Sequence, residues 1–203
     1  AKSVPYFIKD NKGYFDKAAG ANMVNGAIAS SLNLNLPTPR MSFVTTSDAD
    51  NTNALAALGR NAIHEEAYVR LADGRCVHLV SSGLGMRLTK EQMEMFVGAD
   101  FNHNHPNSPL NFTDLFTAIS NRFNSIAATT SDKIYKVSIP NDVNFSKLEL
   151  RRKFDDIKKQ ADQWVWSLNT NQYNELMKDP QLLDLRLFCK SLGLNLQILD
   201  LHP

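Results

Sequence analysis

The sequence predicts an α/β fold, because stretches with strand character alternate along the chain with stretches of helical character. Residues 65–71 and 76–80 are short β-forming stretches on either side of a turn at residues 72–75, which predicts a β-hairpin. Further along, apolar residues recur at the spacing of one helix face, namely Phe112, Leu115, Phe116, Ile119 and Phe123. With 203 residues and 43% apolar content, the chain can bury a hydrophobic core of its own.

Residues 1–55 are predicted to form an N-terminal extension to this core. Alanine content and a loosely amphipathic pattern predict a helix over residues 14–32, and two prolines predict a loop over residues 33–40. A polar turn and helix start at residues 47–52 precedes a second helix, over residues 53–63, which would lead the chain to Glu65 at the start of the hairpin. A linker, a propeptide that mimics substrate and a docking surface are all compatible with this composition.

The predicted core spans residues 56–143 and has the hairpin near its start. Thr89 and Gln92 form a capping-box pair, which predicts a helix ahead of the strand that carries two histidines. Beyond the amphipathic helix, residues 126–130 and 133–139 predict two further strands. Helix and strand therefore follow one another throughout this segment.

Residues 144–203 are predicted to form a helical C-terminal segment. Its predicted elements are three helices and a final edge strand, over residues 147–166, 172–177, 181–192 and 194–201. The first helix mixes both signs of charge, so we interpret its polar face as solvated rather than as a nucleic-acid surface. This segment would either cover the core or recognise a partner.

Charge and hydropathy disfavour several classes of partner. Lysine and arginine total 22 against 21 acidic residues, so no net field draws the chain to nucleic acid or to an anionic membrane. No apolar run approaches the roughly 20 residues that span a bilayer, and no basic-then-apolar signal segment opens the sequence. We therefore expect a soluble protein, either cytoplasmic or delivered as an effector, with no nucleic-acid or membrane partner.

His103, His105 and Asp114 form the strongest chemical motif in the sequence. Side chains alternate on an extended backbone, so His103 and His105 project to the same side and offer two imidazoles to one ion. Pro106 ends that strand, and Asn111 is a good N-cap for the next helix, which places Asp114 in the first turn. Two imidazoles and a carboxylate with an open fourth position are the ligand set of a hydrolytic zinc site.

Three other interpretations of this stretch stay open from the sequence. Asp114 occupies the position of a capping-box acid for Asn111, which explains its spacing without a metal. Histidines in a loop rich in asparagine and proline are often simply solvated. The run from Asn102 to His105 also has the residue types of metal-dependent nucleases with a His-Asn-His set, although those residues are normally spread along a ββα unit.

The pattern His103-x-His105-Pro106, followed by a turn and a polar residue three positions before Asp114, resembles the signature of JAMM (MPN+) zinc metalloproteases. It is similar also to the related RadC-like and toxin-associated domains. The resemblance covers about residues 65–140, and it implies a mixed sheet flanked by helices that binds zinc through these two histidines and this aspartate. It further implies an upstream glutamate as the general base.

Glu65 and Glu66 are the candidates for the base that the resemblance implies. Alternation puts Glu65 on the same face as Ala67 and Val69, which should turn toward the core, so Glu65 is our choice. Glu66 shares its face with Tyr68 and is predicted to be exposed, although a one-residue bulge would reverse the assignment.

The sequence departs from the family pattern in two places. The spacer between Pro106 and the following helix is shorter than is usual in the family, and Asn111 stands where the family has a serine. In the family that serine helps to hold the tetrahedral intermediate. The amide of Asn111 could donate a hydrogen bond in its place, with Ser108 and Thr113 as less well placed substitutes.

The resemblance implies a zinc-dependent peptidase or isopeptidase that acts on a protein or peptide, including conjugates of ubiquitin-like proteins. Glu65 would take a proton from the attacking water and return it to the leaving amine. The two departures favour an alternative function, a catalytically degenerate binding module of a bacterial toxin, effector or phage protein. A metal-dependent nuclease is disfavoured by the balanced charge and the lack of a basic cluster.

Overall fold

The computed structural model describes residues 36–143 and 145–201 of the chain. The helix predicted over residues 14–32 lies outside the described residues, so that prediction stays open. Within the described part, strands and helices alternate as the α/β class requires.

Seven strands of the described chain form one mixed sheet. In chain order they are β1 (Arg40–Val44), β2 (Glu66–Arg70), β3 (Cys76–Val80), β4 (Asp100–Asn104), β5 (Ser125–Thr129), β6 (Lys133–Ser138) and β7 (Asn195–Asp200). Their order across the sheet is β1-β3-β2-β4-β5-β6-β7, in which β4 and β5 run parallel and all other neighbours are antiparallel. This order puts β4, the strand that carries the histidines, in the middle of the sheet.

Six α-helices accompany the sheet within the described residues. They are α1 (Asp48–Leu58), α2 (Lys90–Met95), α3 (Phe112–Ser120), α4 (Lys147–Ser167), α5 (Thr170–Leu176) and α6 (Pro180–Leu192). Thr89 and Gln92 form the predicted capping box of α2. Gly193, with φ 69°, ends α6 in the left-handed conformation that glycine tolerates best.

The two faces of the sheet are covered by different helices. Helix α1 lies on the face of Cys76 and Asn102, since Asn51 donates to the Cys76 sulfur (3.4 Å) and Asn102 donates to the Thr52 hydroxyl (3.4 Å). The other face carries most of the hydrophobic core, where strand residues and residues of α3, α4 and α6 form one buried cluster. Its members include Val69, Leu79, Phe101, Val137, Leu115, Leu150, Leu185 and Phe188.

Helix α3 is the predicted amphipathic helix. Its Phe112, Leu115 and Ile119 are buried, as is Phe123 just beyond its end. Because α3 is the crossover between the parallel strands β4 and β5, its N-terminus lies at the end of the sheet where β4 finishes. The first turn of α3 is therefore held near the histidines.

Several boundaries differ from the prediction at the N-terminal side. Strand β1 was not predicted. Helix α1 begins at Asp48, within the predicted helix start at residues 47–52, and ends at Leu58 rather than at residue 63. Four of the five β1 residues are exposed, so the strand lacks the half-buried pattern by which strands are detected, and its partner β3 is distant in sequence. The proposed division at residue 55 falls inside α1, while the predicted final edge strand is confirmed as β7.

Two further features bear on the class of protein. Cys76 and Cys189 are both buried with free thiols, as expected of small apolar residues in a core. Among the described residues, no helix combines the length and the apolar character that crossing a bilayer requires.

Candidate metal centre

Strand β4 delivers the two histidines to one side of the sheet. His103 pairs with Ala67 of β2 and with Ala128 of β5, both fully buried. His105 follows the last residue of β4, and its N–H donates to the carbonyl of Thr129 at 2.9 Å. The backbone thus stays paired from His103 to His105, and the two imidazoles project to the same face, as alternation predicts.

Asp114 approaches the histidines from the first turn of α3. The side-chain oxygen of Asn111 accepts from the N–H of Asp114 (3.1 Å), and Oδ2 of Asp114 accepts from the N–H of Asn111 (2.8 Å). The capping-box interpretation is therefore confirmed. The same carboxylate also faces both imidazoles, so capping the helix and binding a metal are geometrically compatible.

The three side chains converge on one point, and we call them the His-His-Asp cluster. Nε2 of His103 lies 2.9 Å from Nε2 of His105 and 3.5 Å from Oδ1 of Asp114, while Nε2 of His105 lies 3.6 Å from Oδ2 of Asp114. Two ligands of a tetrahedral zinc ion, each about 2.0 Å from the metal, are about 3.3 Å apart. The observed separations lie on both sides of that value, so the donor set fits zinc with small side-chain adjustments.

The second nitrogen of each imidazole lies in a different environment. Nδ1 of His105 is 3.1 Å from the carbonyl oxygens of both Ser108 and Pro109. A proton on Nδ1 is stabilised by these acceptors, which leaves the Nε2 lone pair for a metal. Nδ1 of His103 is buried and has no hydrogen-bond partner of standard geometry within residues 36–143 and 145–201, although the backbone of Ala127 is near enough to raise the pKa of this histidine.

The buried charges of the cluster act on one another. Burial opposes protonation of His103, but the carboxylate of Asp114 outweighs it and raises the pKa of His103 above its ordinary value. Burial, together with the neighbouring His103, lowers the pKa of His105. Burial opposes ionisation of Asp114, yet His103 and His105 hold its pKa below the usual range. Asp114 is therefore ionised at neutral pH, as a metal ligand must be.

Glu65 lies immediately before β2 and beside the cluster. Its N–H donates to the carbonyl of Gly83 (3.0 Å), and its own carbonyl accepts from the N–H of Ser81 (2.9 Å). It lines the same cavity as the His-His-Asp cluster. Burial raises the pKa of Glu65 to about 7, an effect that His103 opposes and Asp114 reinforces. Such a carboxyl can both accept and donate a proton near neutral pH.

Glu66 is held on the opposite face of the sheet. Its two carboxylate oxygens each lie 2.7 Å from a histidine nitrogen, one from Nε2 of His64 and one from Nε2 of His78. Although burial opposes it, bonding to these histidines lowers the pKa of Glu66. The pairing of β2 is regular from Glu66 to Arg70, and Glu65 just before it lines the cavity while Glu66 contacts His78, so the predicted separation of the two glutamates is confirmed. Glu66 is only partly exposed because the histidines cover it.

Asn111 and its two predicted substitutes, Ser108 and Thr113, lie around the N-terminal end of α3. The carbonyl of the Asn111 side chain is used in the helix cap, so its Nδ2 is the group available to a substrate oxygen. The Ser108 hydroxyl lies 3.3 Å from Nδ1 of His105. The Thr113 hydroxyl is buried and has no hydrogen-bond partner among the described residues. All three residues line the cavity.

A cavity of about 450 Å³ opens beside the cluster. Its walls are largely apolar and come from the segment after β3, the loop before α3, and α6, with Leu84, Met86, Leu110, Phe112, Leu185 and Phe188 among the lining residues. The contribution of α6 was not predicted, because its sequence pattern indicates a helix but not which site that helix adjoins. Asn104, between the two histidines, was likewise not identified as a site residue.

Comparisons with known proteins add no relative. No family model, no curated protein and no solved structure matches this chain. The resemblance to JAMM metalloproteases consequently depends on the sequence motif alone and stays a prediction.

Proposed function

We propose that this chain is a zinc-dependent peptidase or isopeptidase of the JAMM-like class. One observation carries the proposal: one ligand atom from each of His103, His105 and Asp114 lies within 4.8 Å of the others, in the wall of a cavity that Glu65 also lines. This is the set of two imidazoles, a carboxylate and a separate acid-base residue that hydrolytic zinc sites use.

The cluster would hold zinc through Nε2 of each histidine and a carboxylate oxygen of Asp114. When bound, zinc supplies Lewis acidity, which polarises a substrate carbonyl and lowers the pKa of water to roughly 7. The cap between Asn111 and Asp114 orients the carboxylate ligand, and the carbonyls beside Nδ1 of His105 orient that imidazole.

Glu65 would move the proton. In its carboxylate form it takes one proton from water while the water oxygen bonds to the carbonyl carbon of the substrate. The same proton then goes to the amide nitrogen as the carbon–nitrogen bond breaks, so a carboxylic acid and an amine leave and Glu65 is again ionised. Nδ2 of Asn111 would donate to the substrate oxygen that gains charge.

The substrate in this proposal is a protein or peptide, including a ubiquitin-like conjugate, as the JAMM resemblance implies. The apolar cavity walls of Leu110, Phe112 and α6 support a polypeptide rather than a highly charged ligand. The net charge of +1 disfavours a nucleic-acid substrate.

A catalytically degenerate binding module is the second candidate. The observations that favour it are the short loop between His105 and α3, and the use of the Asn111 carbonyl in the helix cap. In that case the cluster would hold a structural metal and the cavity would bind a polypeptide without cleaving it.

Cleavage assays on zinc-loaded protein distinguish the two candidates. The chain is incubated with a panel of peptides and isopeptide-linked conjugates, and products are identified by mass spectrometry. A peptidase cleaves at least one member, and Glu65→Gln abolishes cleavage while zinc stays bound. Binding of a panel member by wild type and Glu65→Gln alike, with no product from either, would instead establish the binding module.

A further inference from the structure

The side chain of Asn104 bridges the backbone on both sides of Glu65. Its Oδ1 accepts from the N–H of Glu66 at 2.7 Å, and its Nδ2 donates to the carbonyl of His64 at 3.2 Å. Asn104 is 4% exposed, so these bonds are shielded from water. One amide group therefore satisfies the peptide groups that flank Glu65.

The side chain of Asn104 makes hydrogen bonds where the backbone pairing of β2 with β4 has ended. The regular pairing of β2 with β4 ends at Ala67 and His103, and beyond it the amide of Asn104 takes the place of backbone partners. On the other side of the segment, the N–H and carbonyl of Glu65 bond to Gly83 and Ser81. The backbone around Glu65 is thus held from both neighbouring segments.

The amide of Asn104 makes both bonds at once. The two bonds require an acceptor and a donor on the same short side chain, and asparagine provides both. Aspartate at this position could accept from Glu66 but could not donate to His64 when ionised, and alanine could do neither. Of asparagine, aspartate and alanine at position 104, only asparagine can therefore make both hydrogen bonds.

Asn104 lies between the two candidate metal ligands in the sequence and bonds to the segment that carries the candidate base. Residues 103–105 follow the β4 path, so His103 and His105 turn to the cluster while the intervening Asn104 turns to the segment that carries Glu65. A displacement of β4 would consequently move the ligands and the Glu65 segment together.

We propose that Asn104 is a positioning residue that holds the Glu65 carboxyl at a set distance from the His-His-Asp cluster. The inference rests on the proposed function of Glu65 as the base. Misplacement of a reacting group by about 1 Å costs roughly 100-fold in rate, so loss of the bridge should lower kcat while substrate and zinc still bind.

The test compares Asn104→Ala and Asn104→Asp with Asn51→Ala in zinc-loaded protein. Asn51 is the matched control because it is also 4% exposed and its hydrogen bonds, to Thr46 and Cys76, involve no residue that lines the cavity beside the cluster. The readouts are zinc content, kcat and KM on the panel peptide that the wild type cleaves fastest, and hydrogen exchange at the Glu66 amide.

We expect kcat to fall roughly 10- to 100-fold in Asn104→Ala, with KM and zinc content unchanged and with faster exchange at Glu66. Asn104→Asp, which keeps the acceptor, should retain protection at Glu66 and lose less activity. Asn51→Ala should lower the melting temperature and leave kcat unchanged. A fall in kcat no larger than in Asn51→Ala, or loss of zinc, would overturn the positioning role.

A failure of the proposed function would give a different result. If the wild type cleaves nothing, the peptidase proposal fails and the role of Asn104 toward a base fails with it, whatever the exchange data. If the wild type cleaves and Asn104→Ala does not fold, Asn104→Asp decides the question. A wild-type kcat in Asn104→Asp, together with fast hydrogen exchange at the Glu66 amide, would overturn the inference.

Discussion

Glu65 and Glu66 are adjacent in sequence, yet their carboxylates lie on opposite faces of the sheet. The Glu65 side chain lines the cavity beside the His-His-Asp cluster, whereas that of Glu66 is held between His64 and His78. Glu66 is the first residue of β2 and Glu65 extends the strand by one extended residue, held by backbone bonds to Ser81 and Gly83, so the two side chains alternate. One glutamate is thereby available to the candidate metal centre and the other is engaged elsewhere.

Metal content is the first prediction. Purified wild-type chain should contain about one zinc per molecule, because the cluster supplies three protein ligands. His103→Ala and Asp114→Asn should each lose it, and elemental analysis measures both. His78→Ala is the matched control, since His78 bonds to Glu66 on the opposite face and should leave zinc content unchanged. Wild-type protein that takes up no zinc when the metal is added would refute the site.

The second prediction concerns the paired glutamates. Glu65→Gln should reduce cleavage by roughly 100-fold or more while zinc stays bound, because the amide cannot take a proton from water. Glu66→Gln should cleave at nearly the wild-type rate and lose only some stability, since it weakens its bonds to His64 and His78. Cleavage rates on one substrate decide between them. Equal losses in the two variants would contradict the assignment of Glu65.

The pH dependence of stability is the third prediction. The pKa of Glu65 is raised from 4.5 to about 7 by burial, so the folded protein holds this proton more tightly than the unfolded chain does. Its contribution to stability is complete below about pH 4.5 and is lost as the pH rises through about 7.

Urea unfolding of metal-free protein measures this effect. Between pH 5 and pH 8 the free energy of unfolding should fall by about 1 to 3 kcal/mol more in the wild type than in Glu65→Gln. The difference between the two proteins removes the titration of groups that do not interact with Glu65, and it retains the electrostatic coupling between Glu65 and His103. If the free energies of unfolding of the two proteins changed in parallel with pH, Glu65 would not be held in a protonated form.

Two N-cap asparagines supply the fourth prediction. Asn111 caps α3 and Asn169 caps α5, each in a capping box. Replacing either by alanine should cost about 1 kcal/mol of stability, but only Asn111→Ala should lower kcat, roughly 100-fold, because in the proposed mechanism Asn111 also donates to the substrate oxygen. Urea unfolding and cleavage rates separate the two roles. Equal kcat values would assign Asn111 to the helix cap alone.

A fifth prediction compares two glycines with positive φ. Gly85 (φ +126°) and Gly74 (φ +88°) both adopt backbone conformations that strain other residues. A Cβ at Gly85 would lie 3.1 Å from a methyl carbon of Leu36 and 4.0 Å from Oε2 of Glu65, whereas a Cβ at Gly74 meets nothing within 4 Å.

Alanine at either glycine should therefore destabilise the protein by about 1 kcal/mol or more. Gly85→Ala should also reduce cleavage, because the added methyl group would displace the Leu36 side chain, which lines the cavity together with Glu65. Melting temperature and kcat are measured together on both variants. Full activity in Gly85→Ala would show that the cavity tolerates the displacement of Leu36.

Local patterns in the sequence were sufficient for much of the fold and for the candidate ligands. The hairpin of β2 and β3, the amphipathic helix α3, the capping boxes and the edge strand β7 each depend on neighbours a few residues apart. The same short-range rules placed His103 and His105 on one face and separated Glu65 from Glu66.

What the sequence by itself determined is therefore which side chains can reach a metal and on which face each lies, because alternation and helix capping act within a few residues. Only the tertiary structure decided that β1 pairs with β3, that α6 forms a wall of the cavity, and that the Asn104 amide reaches across to the backbone around Glu65. These relationships join segments far apart in the chain. They follow from how the sheet is ordered and packed, for which no short sequence pattern exists.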